Sequence, residues 1–105
     1  RCYDSLQGKH TDVPSTRKIE QGVDCIYTLE EDKTFLVDKA FNRRIQIIHH
    51  HADSIVLWNP WEKIPSAMKA DGYRNMVCIE TARLEKLLQF GESISAEISA
   101  LPADI

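Results

Sequence analysis

Short runs in which apolar and polar residues alternate recur along the chain, separated by turn-forming residues. This two-residue period is typical of β-strands, because successive side chains of a strand point to opposite faces. The pattern predicts strands at Val23–Tyr27, Phe35–Val37, Arg44–His51, Ser54–Trp58, Met76–Glu80 and Ile94–Ala100. Five or six short strands with irregular loops predict an all-β fold built from antiparallel sheets, with a β-sandwich as the expected architecture.

The residues between these runs predict how the strands connect. The Ala52-Asp53 turn predicts a hairpin between the strands on either side of it. The Pro, Gly and Asp residues of Gly8–Ser15 and Trp61–Gly72 predict loops. The segment Ala82–Gln89 is ambiguous, since its leucines have helical spacing and lie among good helix formers.

Composition restricts the class of protein. The 105 residues, 43% of them apolar, fit a single domain over 1–105 that can bury only a modest core. The net charge of −3 and the scattered basic residues argue against a nucleic-acid partner. The longest apolar run, around Ile55–Trp58, is far shorter than the roughly 20 residues of a membrane span, so we expect no membrane partner.

The cysteines and the first residue give expectations about the cellular compartment of the chain and about its completeness. Cys2, Cys25 and Cys78 are odd in number and widely spaced, which favours free thiols in a reducing compartment and predicts a cytoplasmic protein. The sequence opens at Arg1 rather than at a methionine. We therefore expect a piece of a longer polypeptide.

Glu80 is the titratable residue with the most informative position. On a strand it shares a side with Met76 and Cys78, so it ends an apolar row. Partial desolvation by such a row prepares a carboxylate to accept and return a proton near neutral pH. The alternative is a strand-end glutamate that pairs with an arginine such as Arg83.

A second acid and an aromatic cluster are candidates for ligand binding. Asp24 projects either into a cleft or from a surface turn after Gly22. The stretch from Trp58 through Asn59 to Trp61 offers indole faces beside an amide, which suits the C–H surfaces and hydroxyls of a sugar. The alternative is that Trp58 belongs to the core and Asn59 to a turn.

Three consecutive histidines, His49, His50 and His51, raise the question of a metal. On a strand His49 and His51 share a face, and imidazole is a common ligand. Two ligands do not complete a site, and no nearby cysteine or acid has a familiar ligand spacing, although Asp53 could contribute. We therefore expect no metal. Neither a glycine-rich phosphate loop nor a Ser/His/Asp pattern is present, and we expect no cofactor and no covalent catalysis.

Taken together, these motifs resemble the C-terminal signature of the hexose-6-phosphate mutarotase (glucose-6-phosphate 1-epimerase) family. The resemblance extends almost end to end, and WNPW followed by VCIE at this separation is specific. Bacterial members are most similar. The matching stretches are Asp24–Tyr27, Ala40–Arg43 with the histidine cluster, Ser54–Trp61, Ala67-Met68, Gly72-Tyr73, Met76–Glu80 and Phe90–Ser93.

The resemblance implies a galactose-mutarotase-like β-supersandwich that interconverts the α and β anomers of hexose 6-phosphates. By position, Glu80 corresponds to the catalytic base and Asp24 to a substrate-binding acid, and the implied mechanism uses no metal or nucleotide. The base takes the proton of the anomeric hydroxyl while an acid protonates the ring oxygen, and the opened ring recloses on the other face. The family also favours a strand at Ala82–Gln89.

The resemblance further implies that part of the active site lies outside this chain. The family's acid histidine and phosphate-binding arginines precede anything that matches Arg1, and none of the histidines here aligns with that acid. We therefore expect an incomplete enzyme whose exposed strand edges favour self-association. The alternatives are a non-catalytic carbohydrate-binding or interaction domain, which keeps Asp24, Trp58 and Asn59 as recognition groups, and a metal-binding β-domain.

Overall fold

The regular secondary structure of the protein is almost entirely β-strand, as the alternating pattern predicts. The computed structural model describes residues 2–12 and 16–102. The strands are β1 (Cys2–Asp4), β2 (Lys9–Thr11), β3 (Val23–Thr28), β4 (Lys33–Asp38), β5 (Arg43–His50), β6 (Ser54–Asn59), β7 (Cys78–Ala82) and β8 (Ser95–Pro102). Within the described residues the helical structure is a single 3-10 turn at Gly72–Asn75. The all-β fold class is therefore confirmed.

The strands form two sheets. A five-stranded sheet has the order β2-β1-β3-β6-β7, and a three-stranded sheet has the order β4-β5-β8. The pairs β1·β2, β1·β3, β3·β6, β4·β5 and β5·β8 are antiparallel. The predicted antiparallel character of the sheets is thus confirmed.

The chain divides into two compact units, and the first contains the hydrophobic core. This unit comprises Arg1–Thr28 and Ser54–Glu80. Its core consists of Cys2, Val23 and Cys25, against which Ile19, Tyr27 and Leu57 pack. Because side chains alternate along β3, its odd-numbered residues share one face, and Val23 and Cys25 on that face are the buried ones.

The second unit comprises Leu29–Asp53 and Thr81–Ile105 and holds the three-stranded sheet. Its strand β5 lies between β4 and β8 and contributes the buried side chains Ile47 and His49. The edge strand β8 is exposed along most of its length, including Ile98, rather than on one face as its alternation predicts.

Several predicted connections are wrong. The strands on either side of Ala52-Asp53 do not form a hairpin, because β6 pairs along its whole length with β3 and belongs to a different sheet from β5. The predicted loop Gly8–Ser15 contains strand β2, and its residues 13–15 lie outside the described residues. Strand β1 has no counterpart among the predictions, since three residues are too few for a periodic signal.

The segment Ala82–Gln89 is neither helix nor strand beyond Ala82. The carboxylate of Asp53 accepts hydrogen bonds from the backbone N–H groups of Leu84 (2.8 Å), Glu85 (3.3 Å) and Lys86 (2.8 Å). Backbone N–H groups bound to a side chain are not available to a β-ladder or a helical turn. The irregular course of this segment is therefore a tertiary effect that its own sequence does not encode.

Candidate functional site

Two of the predicted binding residues lie opposite each other on neighbouring strands. Asp24 on β3 is paired in register with Trp58 on β6, and both side chains are half-buried. Residues directly opposite in an antiparallel pair point to the same face, with Cβ atoms about 4.5–5.5 Å apart. A carboxylate beside an indole is thus presented on one face of the five-stranded sheet, where it can accept hydrogen bonds from hydroxyls next to an apolar ring surface.

Asn59 lies on the other face of the same sheet. Its register partner is Val23, a buried core residue, and Asn59 itself is 3% exposed. Its Nδ2 donates to the carbonyl oxygens of Tyr73 and Met76, each at 2.9 Å, and its Oδ1 accepts from the N–H of Trp61 at 2.7 Å. A carboxamide with all these groups engaged inside the chain has little left to offer a sugar, so the structure separates Asn59 from Asp24 and Trp58.

Glu80 lies in the middle of β7, the strand next to β6 in the sheet. Asp24, Trp58 and Glu80 are therefore carried by three consecutive strands of one sheet, β3, β6 and β7. The side chain of Glu80 is exposed, so the expected desolvation by the apolar row is not found within the described residues. Its neighbour in the row, Cys78, is half-buried.

Arg83, which was the alternative partner of Glu80, contacts other groups instead. Its Nε donates to the carbonyl oxygen of Lys86 at 2.7 Å and its Nη1 to that of His51 at 3.0 Å. Its Nη2 lies 3.5 Å from the carboxylate of Glu92. The hydrogen bond from the backbone N–H of Gln89 to Glu92 lowers the pKa of that carboxyl, so Glu92 is ionised beside the guanidinium at neutral pH.

The loop between β6 and β7 contains an aromatic and cationic cluster of Trp61, Tyr73 and Arg74, of which the aromatic pattern of the sequence singled out Trp61 alone. The rings of Trp61 and Tyr73 have centroids 4.9 Å apart at an angle of 49°. The Arg74 guanidinium lies 5.7 Å from the Tyr73 ring centroid, and its Nε donates to the Tyr73 hydroxyl at 3.3 Å. The signal that could have found Tyr73 is its place among the stretches matching the family.

An arginine and a phenol form a second polar contact, on the core face of β3. Arg17 Nη1 donates to the Tyr27 hydroxyl at 2.8 Å and lies 3.8 Å from Cys25 Sγ. Burial raises the pKa of both Tyr27 and Cys25. Because both groups are neutral at pH 7, the Arg17 charge is held by neutral acceptors and by the solvent that reaches its half-buried side chain.

The histidine cluster does not form a metal site in the part of the chain that the structure describes. The buried His49 ring is hydrogen-bonded through Nε2 to Thr34 Oγ1 at 2.8 Å and through Nδ1 to Thr81 Oγ1 at 2.7 Å. Within 2–12 and 16–102, no group of three or more His, Cys, Asp or Glu residues is placed to hold an ion. His50 lies 3.5 Å from Glu97, and His51 has a φ of 61° at the end of β5.

Comparison with known proteins decides the family. The family model for aldose 1-epimerase matches residues 2–100. This chain belongs to the aldose 1-epimerase family. A solved relative, the crystal structure of HI1317, superposes on 94% of the chain with a TM-score of 0.90 and is 50% identical. This agreement confirms the resemblance found in the sequence and the fold that it implied.

Curated members of the aldose 1-epimerase family are similar over most of this chain. A protein of Haemophilus influenzae is 51% identical over 93% of the chain, and one of Cenchrus ciliaris is 31% identical over 95%. Both carry the name "putative glucose-6-phosphate 1-epimerase". The chain covers 36% and 33% of these proteins, and 37% of the HI1317 structure, so it spans about a third of the length of the relatives it matches.

Proposed function

We propose that this chain supplies the base and the sugar-binding face of an enzyme that interconverts the α and β anomers of hexose 6-phosphates. Glu80 is the base, and Asp24 and Trp58 bind the sugar. The observation that carries the proposal is the placement of Asp24, Trp58 and Glu80 on three consecutive strands of one sheet, in a chain of the aldose 1-epimerase family. The names of the relatives favour glucose 6-phosphate as the substrate.

The proposed reaction moves two protons and conserves every atom of the sugar. Glu80 removes the proton from the C1 hydroxyl, the freed electron pair forms the C1=O bond, and the bond between C1 and the ring oxygen breaks. A proton donor that we do not assign to a residue of this chain protonates the ring oxygen. Rotation about the C1–C2 bond and reversal of these steps give the other anomer, and Glu80 is returned to its ionised form.

The face that carries Asp24 and Trp58 also supports the substrate class. The Trp58 indole offers an apolar surface to the C–H groups of a pyranose, and the Asp24 carboxylate orients its hydroxyls. The three cysteines are unpaired in the structure, which supports the proposal that the protein works in the cytoplasm. No helix within the described residues has the length and apolar character needed to cross a membrane.

The proposal predicts that Glu80→Gln abolishes the anomer exchange that the chain catalyses. General-base catalysis contributes about 10²–10⁴-fold, and an amide cannot accept the proton. The measurement is magnetisation-transfer NMR between the α and β anomers of glucose 6-phosphate, with chain, variant and buffer. Glu30→Gln, a change of the same kind at an exposed residue after β3, should retain the wild-type rate.

Binding measurements separate the enzyme from a carbohydrate-binding module. If Glu80 is the base, Glu80→Gln leaves the affinity for glucose 6-phosphate, read from tryptophan fluorescence, nearly unchanged, whereas Asp24→Asn weakens it. A wild-type chain that binds the sugar phosphate without accelerating exchange contradicts catalysis by these 105 residues alone, a result that both an incomplete enzyme and a binding module would give. Membership of the family is independent of that result.

A further inference from the structure

The loop that joins β6 to β7 is closed by one buried side chain. Asn59, the last residue of β6, contacts the beginning of the loop through the N–H of Trp61 and its far end through the carbonyl oxygens of Tyr73 and Met76. The two Nδ2 contacts of 2.9 Å reach 14 and 17 residues along the chain. One carboxamide thus ties together two ends of a segment with little regular structure.

Other contacts inside the loop accompany this closure. Residues 60–77 contain a 3-10 turn as their regular element, and connections longer than about 12–15 residues without structure of their own are uncommon in compact domains. The rings of Trp61 and Tyr73 pack against each other, and the Met68 side chain lies so close to Gly72 that a Cβ there would be 2.7 Å from Met68 Cγ. The ring contact joins the two segments that Asn59 brings together, and the contact between Met68 and Gly72 packs the loop locally.

Residues of the proposed site lie next to both ends of the loop that Asn59 closes. Trp58, the proposed sugar platform, directly precedes Asn59. Met76, whose carbonyl oxygen Asn59 holds, lies two positions before β7 begins and four before Glu80. Trp58 is also fixed by the six-residue register of β6 with β3, and β7 is hydrogen-bonded to β6. Met76 lies outside β7, so the entry to this strand is the end that depends more on Asn59.

We infer that Asn59 is a positioning residue that sets where Glu80 stands relative to the face carrying Trp58 and Asp24. The inference rests on the proposed function, since it gives Asn59 a role through the base rather than through the sugar. The chemistry of the contact requires an amide, because the site uses two N–H donors and one acceptor. An aspartate would place a carboxylate against two carbonyl oxygens, and a serine offers one donor on a shorter side chain.

The test compares kcat and KM for anomer exchange in the wild-type chain, Asn59→Asp, Glu80→Gln and the double variant. Displacing a reacting group by about 1 Å costs up to about 100-fold in rate, so kcat should fall about 10- to 100-fold in Asn59→Asp. KM should change by less than about threefold, because Trp58 and Asp24 remain paired across β3 and β6. Adding Asn59→Asp to Glu80→Gln should not lower kcat further, because the base that Asn59 positions is already absent.

Two further variants separate positioning from general destabilisation. Asn75→Asp makes the same chemical change at an exposed residue of the same loop and should leave kcat unchanged. Asn59→Ser keeps one hydrogen-bond donor and should lower kcat by a smaller factor than Asn59→Asp. The serine variant can therefore serve for the test if the aspartate variant does not fold. All assays run at a temperature at which circular dichroism shows the variant to be folded.

The outcomes distinguish the two proposals. If Glu80→Gln exchanges anomers as fast as the wild type, or the wild type does not accelerate exchange, Glu80 does not act as a base in this chain and the role of Asn59 is overturned with it. If Glu80→Gln is inactive while folded Asn59 variants keep kcat within about twofold, the proposed function stands and the inference alone is overturned. A loss of kcat in Asn59→Asp that adds in full to the loss in Glu80→Gln also overturns it.

Discussion

At the scale of single residues, two buried polar side chains, those of Asn59 and His49, have their hydrogen bonds formed inside the chain. Asn59 is held by backbone groups and His49 by two threonine hydroxyls. Leaving such a group without a partner costs about 1–3 kcal/mol of unfolding free energy, so each of these residues holds its hydrogen-bond partners in place. The two differ in that His49 can also change its charge.

The protonation of His49 should make the stability of the protein depend on pH. Burial lowers the pKa of His49 from its usual 6.5, and the negative charge of Asp32 offsets only part of that effect. Between the folded pKa and 6.5 the unfolded chain binds more protons than the folded chain, so the free energy of unfolding falls as the pH is lowered through this window. Chemical denaturation across that range measures it.

The matched variant for this prediction is His49→Gln, which does not titrate. It loses the contact with Thr81 or the one with Thr34, so it should be less stable than the wild type above pH 7 by about 1–3 kcal/mol. The difference should narrow as the pH falls below 6.5. A difference that is constant with pH would show that His49 does not titrate differently in the folded and unfolded states.

At the scale of structural elements, the segment after β7 is shaped by one carboxylate. Asp53 binds three successive backbone N–H groups, those of Leu84, Glu85 and Lys86, and its own N–H donates to the carbonyl oxygen of Ala82 at 3.1 Å. A carboxylate that accepts several backbone hydrogen bonds is a strong local anchor. The end of β7 is therefore set by a residue some 30 positions earlier in the chain.

Replacing Asp53 by alanine should release this segment. Loss of charge-assisted hydrogen bonds to a partly buried carboxylate costs about 1.5–3 kcal/mol of unfolding free energy. The amides of Leu84 and Lys86 should exchange with solvent much faster, as measured by hydrogen-exchange NMR. Asp71→Ala is the control, since Asp71 makes no side-chain hydrogen bond to the 3-10 turn that it precedes, and it should cost less than about 0.5 kcal/mol. Equal effects of the two variants would contradict the anchoring role.

At the scale of the whole molecule, the exposed apolar side chains are unevenly distributed. Of the nine large hydrophobic residues exposed within the described part of the chain, Leu6 belongs to the first unit and the other eight to the second. In the second unit the strands β4 and β8 are both edges of the three-stranded sheet. Exposed apolar groups on strands with unpaired backbone groups favour association with another chain.

The chain should therefore self-associate, and the sedimentation coefficient should rise with protein concentration. Ile98 is 71% exposed on the edge strand β8, and we expect it to contribute most to self-association. Burial of such a side chain contributes about 1.5–3 kcal/mol, so Ile98→Lys should weaken association about 10- to 100-fold. Leu6→Lys, at a residue 65% exposed in the first unit, should change it little. A sedimentation coefficient independent of concentration would contradict the prediction.

The sequence by itself determined the longer strands and the family. The alternation in Val23–Thr28, Arg43–His50 and Ser54–Asn59 predicts those strands closely, because which face a side chain takes is a local property of an extended backbone. The candidate site was found in part for the same reason. Asp24, Trp58 and Glu80 each stand on a predicted strand, and their family resemblance is a property of sequence alone.

Only the tertiary structure decided which strands are neighbours and what the buried polar groups do. The predicted hairpin at Ala52-Asp53 is wrong because β6 pairs with β3, and Asn59 contacts a carbonyl 17 residues away. The sequence raised a metal only as an alternative for His49 and did not show its partners, whereas in the structure its Nδ1 is hydrogen-bonded to Thr81 Oγ1, 32 residues away. Such partners meet only when distant segments pack, so a period of two residues carries no information about them.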